Sequence, residues 1–151
     1  MKYYKFYIQK ETTGSAVKEL GEDFGFYETE SKFYGGNAVK EVAKRDWYDE
    51  DGDDEFVPEQ QKFKAFEAEI KFGYKGDMNT ANGKLKALQD YLYGGTMKFY
   101  DSYNRVGRQN VRFEEISDDA ELVRNTDDGD ILIITLKLKV NDPKTEITLS
   151  K

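Results

Sequence analysis

The sequence predicts a mainly β protein, an antiparallel sheet or β-sandwich with one α-helix packed on it. Three observations carry this expectation. Several segments alternate apolar and polar residues with a period of two. A single segment repeats its apolar residues at helical spacing. Strands and helices do not alternate, so a doubly wound nucleotide-binding fold is not expected. The length of 151 residues suits one domain, and residues 1–151 are expected to form one.

The elements follow in chain order. In residues 2–9, Tyr4, Phe6 and Ile8 fall on one face and Tyr3, Lys5 and Tyr7 on the other, which is a strand. Thr12 to Ser15 is a turn signal. Residues 16–34 are broken by Gly21 and Gly25, and their aromatics, Phe24, Phe26, Phe33 and Tyr34, suggest short strands. Gly35-Gly36-Asn37 is a further break, and residues 38–45 read as a strand. Residues 46–59 hold eight carboxylates and no base, so they are expected to be an exposed acidic loop.

Residues 62–74 read as a long strand, with Phe66, Ala68, Ile70, Phe72 and Tyr74 on one face. Phe63 is out of phase with that set, and a bulge near Ala65 would reconcile the two halves. Gly73 inside the pattern hints at a bend. The helix is predicted over 79–93, where Ala81, Leu85, Leu88 and Leu92 form one stripe. Asp77, Asn79 or Thr80 can cap its start, and Gly94-Gly95 marks its stop. Strands are then predicted at 96–103, 110–116 and 131–140, with a turn at 104–107. Asp127 to Asp130 reads as a hairpin turn, and Thr145 to Leu149 as a last short strand.

Composition narrows the chemistry. There is no cysteine and no histidine, which removes disulfide scaffolds, thiolate zinc sites, cysteine nucleophiles and Ser-His-Asp triads. The net charge is −7 and the pI about 4.8, so sequence-specific nucleic-acid binding is not expected. The acidity is local: removing the eight loop carboxylates from a net −7 leaves the rest near +1. Neither a secretory leader nor a membrane span is expected from the apolar runs. Mean hydropathy is low at −0.84, but eleven Tyr, ten Phe and one Trp can build a core from few residues.

The chemical constellations resolve to bland readings. Asp49, Asp51 and Asp53 alternate as calcium ligands would, but Gly52 is misplaced for a calcium loop and Asp54 stands where glycine is needed. Glu67 and Glu69 share a strand face among lysines, which suits a salted surface better than acid–base catalysis. Residues 62–112 carry ten bases against five acids with aromatics between them. Alternation with core residues explains that pattern without nucleic acid. Tyr3, Tyr7, Tyr48, Tyr100 and Tyr103 are candidates for exposed aromatic surface. No cofactor and no metal is expected.

Three stretches carry a family resemblance. They are Lys44 to Gly52 with Val57-Pro58 and Lys62 to Glu67, then Asp101-Ser102-Tyr103 with Val106 to Gln109 and Val111 to Phe113, then Val140 to Pro143 through Thr148. Together, over roughly residues 40–149, they resemble tail components of bacteriophages and prophages of gut Bacteroidetes. The layout is similar to that of siphophage distal tail and minor tail proteins.

The resemblance implies a β-sandwich or split barrel of antiparallel strands with a helix packed on it. It implies a non-enzymatic structural role with no cofactor. Copies would self-assemble into a ring, commonly hexameric, and meet other tail proteins, with no membrane partner. The protein would be made in the bacterial cytoplasm and reside in the virion tail. On that reading the candidate interface residues are Tyr3, Tyr7, Trp47, Tyr48, Asp49, Asp51, Asp53 and Asp54. An acidic loop facing the lumen would repel passing DNA. The alternative is a carbohydrate-binding module on a β-sandwich that uses Trp47 and surface tyrosines; an acidic enzyme ranks third.

Overall fold

The structure, a computed structural model, describes residues 4–31, 35–117, 121–123 and 129–151. It is mainly antiparallel β with one long helix, as expected. The strands are β1 (Phe6–Lys10), β2 (Lys18–Glu19), β3 (Tyr27–Ser31), β4 (Lys44–Arg45), β5 (Asp54–Glu55), β6 (Phe66–Gly76), β7 (Met97–Asp101), β8 (Val106–Ile116), β9 (Glu121–Val123) and β10 (Asp130–Val140). The helices are α1 (Leu20–Phe24) and α2 (Met78–Leu92). Eight strands form one sheet in the order β2-β1-β7-β8-β10-β6-β3, with β9 paired to the first half of β10. β4 and β5 form a separate two-stranded unit.

The long sheet closes on itself. Three strands separate β1 from β6 in the sheet order, which would hold them about 19 Å apart if the sheet were flat. Yet the rings of Phe6 on β1 and Phe72 on β6 meet edge to face, 5.2 Å between centroids at 83°. Twist and coiling therefore bring the two halves face to face as a sandwich. Strand alternation fills the space between them. Ile8, Ile70, Met97, Phe99, Ile134 and Leu136 all point inward and are fully buried.

β10 is the centre of the sheet. It pairs over its whole length with β6, and its second half pairs with β8. Its even-numbered residues from Leu132 to Val140 are buried. Thr135 on the opposite face is also buried, at 5% exposure, so both faces are covered there.

α2 lies on the core through Ala81, Leu88 and Leu92, while Leu85 is half-buried at its margin. Asp77 caps its start by accepting from the Asn79 N–H at 3.2 Å.

Five expectations need correction. The segment 16–34 contains a short helix, α1, that no periodicity announces, because five residues cannot show a stripe. Its caps hold it. The Glu19 carboxylate accepts from the N–H groups of Gly21 and Glu22, and the Asp23 carboxylate accepts from the Glu19 N–H. Gly25, at φ 76°, ends it in the left-handed region.

Phe63 is out of phase for a different reason from a bulge. Residues 62–64 belong to the pairing of Ala38 to Lys40, with a bridge from Val39 to Phe63, and β6 starts only at Phe66. The turn expected at 104–107 lies earlier, because Val106 and Gly107 already pair with Asp101 and Tyr100 in β8.

Residues 38–45 are a strand only at Lys44–Arg45, with the single bridge at Val39 before it. Residues 145–149 are extended but not a strand. Asn141 donates to the Asn110 carbonyl and Ile147 to the Gly107 carbonyl, so the segment is held against the first part of β8. Phe33, Tyr34, Asp127 and Asp128 lie outside the described residues.

Candidate assembly surface

Residues 38–64 form a two-stranded arm. At its base Lys40 donates to the Lys62 carbonyl and Lys64 to the Ala38 carbonyl, both at 2.7 Å. Further out, Lys44 pairs with Glu55 and Arg45 with Asp54, and Phe56 donates to the Ala43 carbonyl at 2.8 Å. The tip turns at Gly52, whose φ of 79° suits glycine and leaves open space around it. Residues 46–57 are exposed throughout.

The arm is held by its own side chains. The Trp47 indole N–H donates to the Asp54 carboxylate at 2.8 Å. The Arg45 guanidinium lies over the Trp47 ring, 5.3 Å from its centroid, and Lys44 pairs with Asp53 at 3.8 Å. These contacts are exposed, so each contributes little. They fix the hairpin's register more than its stability.

The arm also displays apolar surface. Among the described residues, Val39, Trp47, Tyr48, Phe56, Val57 and Phe63 make up six of the ten large hydrophobic side chains that stand exposed. Tyr48 is fully exposed, Phe56 is 73% exposed and Val57 54%. A two-stranded hairpin is marginal in water by itself. This one turns its aromatics outward to solvent.

The candidate residues divide accordingly. Trp47, Tyr48, Asp49, Asp51, Asp53 and Asp54 all belong to the arm and its tip. Tyr7 does not. It lies half-buried on β1 and stacks on Tyr100 of β7, 6.3 Å between rings. Tyr3 lies outside the described residues. Sequence reasoning missed Phe56, Val57, Val39 and Phe63. The signal was present, since Phe56-Val57 is an apolar pair inside a run of carboxylates, and Phe63 breaks the phase of β6.

The carboxylates of the tip do not converge. Asp53 and Asp54 are engaged with Lys44 and Trp47. Among the described residues no group of three or more acidic side chains is arranged to hold a metal ion. Among them, too, no helix is long and apolar enough to cross a membrane.

The architecture is therefore a coiled antiparallel sandwich bearing one long helix and an exposed two-stranded arm. No family model matches the sequence, and no curated protein matches it. Among solved structures it is similar to the Dit protein of phage SPP1, described as a paradigm of the hub adsorption apparatus in phages that infect Gram-positive bacteria. The TM-score is 0.60 at 17% identity, and the match covers 91% of this chain and 50% of that one. The chain thus spans half the length of its structural relative. At that identity the likeness concerns the fold.

Proposed function

We propose that this protein is a non-enzymatic structural subunit of a phage or prophage tail. Its copies associate into a ring and meet neighbouring tail proteins through the arm. Residues 1–151 act as one domain, with the acidic loop 46–59 at the end of the arm. The observation that carries this reading is the concentration of exposed Trp47, Tyr48, Phe56 and Val57 on a hairpin with little support of its own. The fold shared with the phage protein supports it.

In this role Phe56 and Val57 supply buried area in the contact. Asp49 and Asp51 at the tip supply charge that steers and selects the partner. An arm that docks on a different surface of the next copy makes a head-to-tail contact, which closes into a ring when the rotation allows. The assembled protein resides in the virion tail after synthesis in the bacterial cytoplasm.

A carbohydrate-binding role draws less support. Arg45 already covers the Trp47 ring, and Asp54 already takes its N–H.

The test is the mass of the purified protein by light scattering, with negative-stain images of the same sample. The expected result is a ring for the natural chain and a folded monomer for Phe56→Ser/Val57→Ser. A natural chain that stays monomeric at high concentration, or a variant that assembles unchanged, overturns the reading.

A further inference from the structure

We propose that Glu28 and Asp101 form a proton-operated clasp: one proton shared between their carboxyls fastens the edge strand β3 to the end of β7, and losing it opens that rim of the sandwich.

The placement comes first. Asp101 ends β7 opposite Phe6 of β1, and it is fully buried. Glu28 lies on β3 opposite Phe72 of β6, two residues after the buried Phe26 and so on the same inward face. The Phe6–Phe72 contact therefore brings together the two stretches that carry these residues, one from each layer of the sandwich, and the Glu28 and Asp101 carboxyls lie within hydrogen-bond reach of each other. β3 is the last strand of the sheet, so beyond β6 it has no strand partner in the sheet order.

The hydrogen bonds assign the roles. The Asp101 oxygens accept from the Tyr103 N–H at 3.0 Å, the Asn104 N–H at 3.4 Å and the Asn104 side-chain amide at 2.7 Å. Those donors hold Asp101 as an acceptor. Glu28 has a buried carboxyl oxygen, Oε2, to which no donor group among the described residues is directed. Two carboxylates beside each other in a dry site cannot both ionise cheaply. The proton belongs on Glu28, from which it reaches Asp101. Burial, and then the neighbouring Asp101 carboxyl, push Glu28 up to about 8.

Among the described residues, the cations on the neighbouring elements are engaged elsewhere; Arg108 of β8 donates to the Pro143 carbonyl at 2.9 Å. Lys5, just before β1, and Lys71 of β6 flank Phe6 and Phe72 on the opposite faces, where they pair with Glu22 at 3.5 Å and Glu30 at 3.8 Å. On the turn after β7, Arg105 is exposed, and the Tyr103 ring packs against Tyr4 at 4.6 Å. Tyr7 and Tyr100 stack with each other on the outer face. The folded protein thus holds this proton more tightly than the unfolded chain. Its contribution is complete below the ordinary glutamate value of 4.5 and is lost as pH rises to about 8.

Hydrogen exchange of the intact chain tests the clasp. Protection of the amides in β3 and in residues 101–104 should fall at least tenfold between pH 6.5 and 9.5, after correction for intrinsic rates. Glu28→Gln keeps a donor for Asp101 but cannot titrate, so its protection there should not change with pH. An equal fall in the natural chain and the variant overturns the clasp. Carbon-13 NMR of the Glu28 carboxyl gives a second reading that needs no variant. A midpoint near 8 is expected, and one near 4.5 overturns the proposal.

Discussion

Phe6 and Phe72 stand on strands that three others separate in the sheet, yet their rings meet at 5.2 Å. Phe6 also meets Phe99 of the adjacent β7 at 5.8 Å. The pair marks where the sheet has coiled far enough to become two layers. Edge-to-face rings add about 0.5–1.5 kcal/mol beyond the area they bury. Phe72→Ala should therefore destabilise the protein by about 3–5 kcal/mol. Urea denaturation measures this, and a loss under about 1 kcal/mol would mean that the layers are held together elsewhere.

The helix offers a graded test. Leu88 is fully buried, whereas Leu85, one turn earlier in the same stripe, is half-buried. Leu88→Ala should cost about 2–5 kcal/mol. Leu85→Ala should cost clearly less, since fewer neighbours lose contact. Equal losses at the two positions, read from the same denaturation curves, would show that the helix is rotated from the face described.

These two residues also show what was legible in the sequence. A stripe of four apolar residues over twelve positions specifies a helix and its buried face, and α2 is displaced from the expected 79–93 by one residue at each end. The alternation in β6 and β10 was equally plain, because a half-buried strand must alternate. α1 was not legible. It is stabilised by the Glu19 and Asp23 carboxylates on backbone N–H groups, and such caps leave no periodic trace. Nor was the clasp. Glu28 and Asp101 are 73 positions apart in the sequence, and only the coiling of the sheet makes them neighbours. The arm was half legible: its charge density marks it as exposed, while its pairing depends on cross-strand bonds that single residues do not announce.

Gly107 is a position where any side chain would intrude. A Cβ there would overlap the Ile147 carbonyl oxygen, where the C-terminal segment is hydrogen-bonded to β8. The same segment is tied down by Arg108 to the Pro143 carbonyl and by Lys151 to Asp23, at 2.9 and 3.0 Å. Gly107→Ala should lift the segment away and cost about 1–3 kcal/mol by overpacking. Limited proteolysis should then remove residues 144–151 faster than in the natural protein. Unchanged cleavage would mean that the segment is not seated there.

Asp142 gives that segment an acid dependence. The Gln109 side-chain amide, followed by the Thr145 backbone N–H, holds the Asp142 carboxyl down to about 2. The pKa is lower folded than unfolded. The stabilising contribution is therefore present above 3.8 and is lost as pH falls towards 2. NMR shifts of the Lys144 and Thr145 amides, which donate to Asp142 at 3.2 and 3.1 Å, should report the loss between pH 4 and 2. In Asp142→Asn they should already lie near their acid values at pH 7. A midpoint near 3.8 would show that the carboxylate is not held.

The arm's charge separates folding from assembly. Asp49, Asp51, Asp53 and Asp54 are exposed and lie outside the set of buried residues that forms the core. Neutralising all four to Asn leaves the core untouched, so the melting temperature should move by no more than a few degrees. Two of them nevertheless steady the hairpin, through Lys44 and the Trp47 indole. Trp47 fluorescence should therefore report a looser tip, and the dependence of assembly on salt should weaken, since screening acts on exposed charge. If assembly and its salt dependence stay as in the natural chain, the apolar residues Phe56 and Val57 act alone and the acidic tip has no part in the contact.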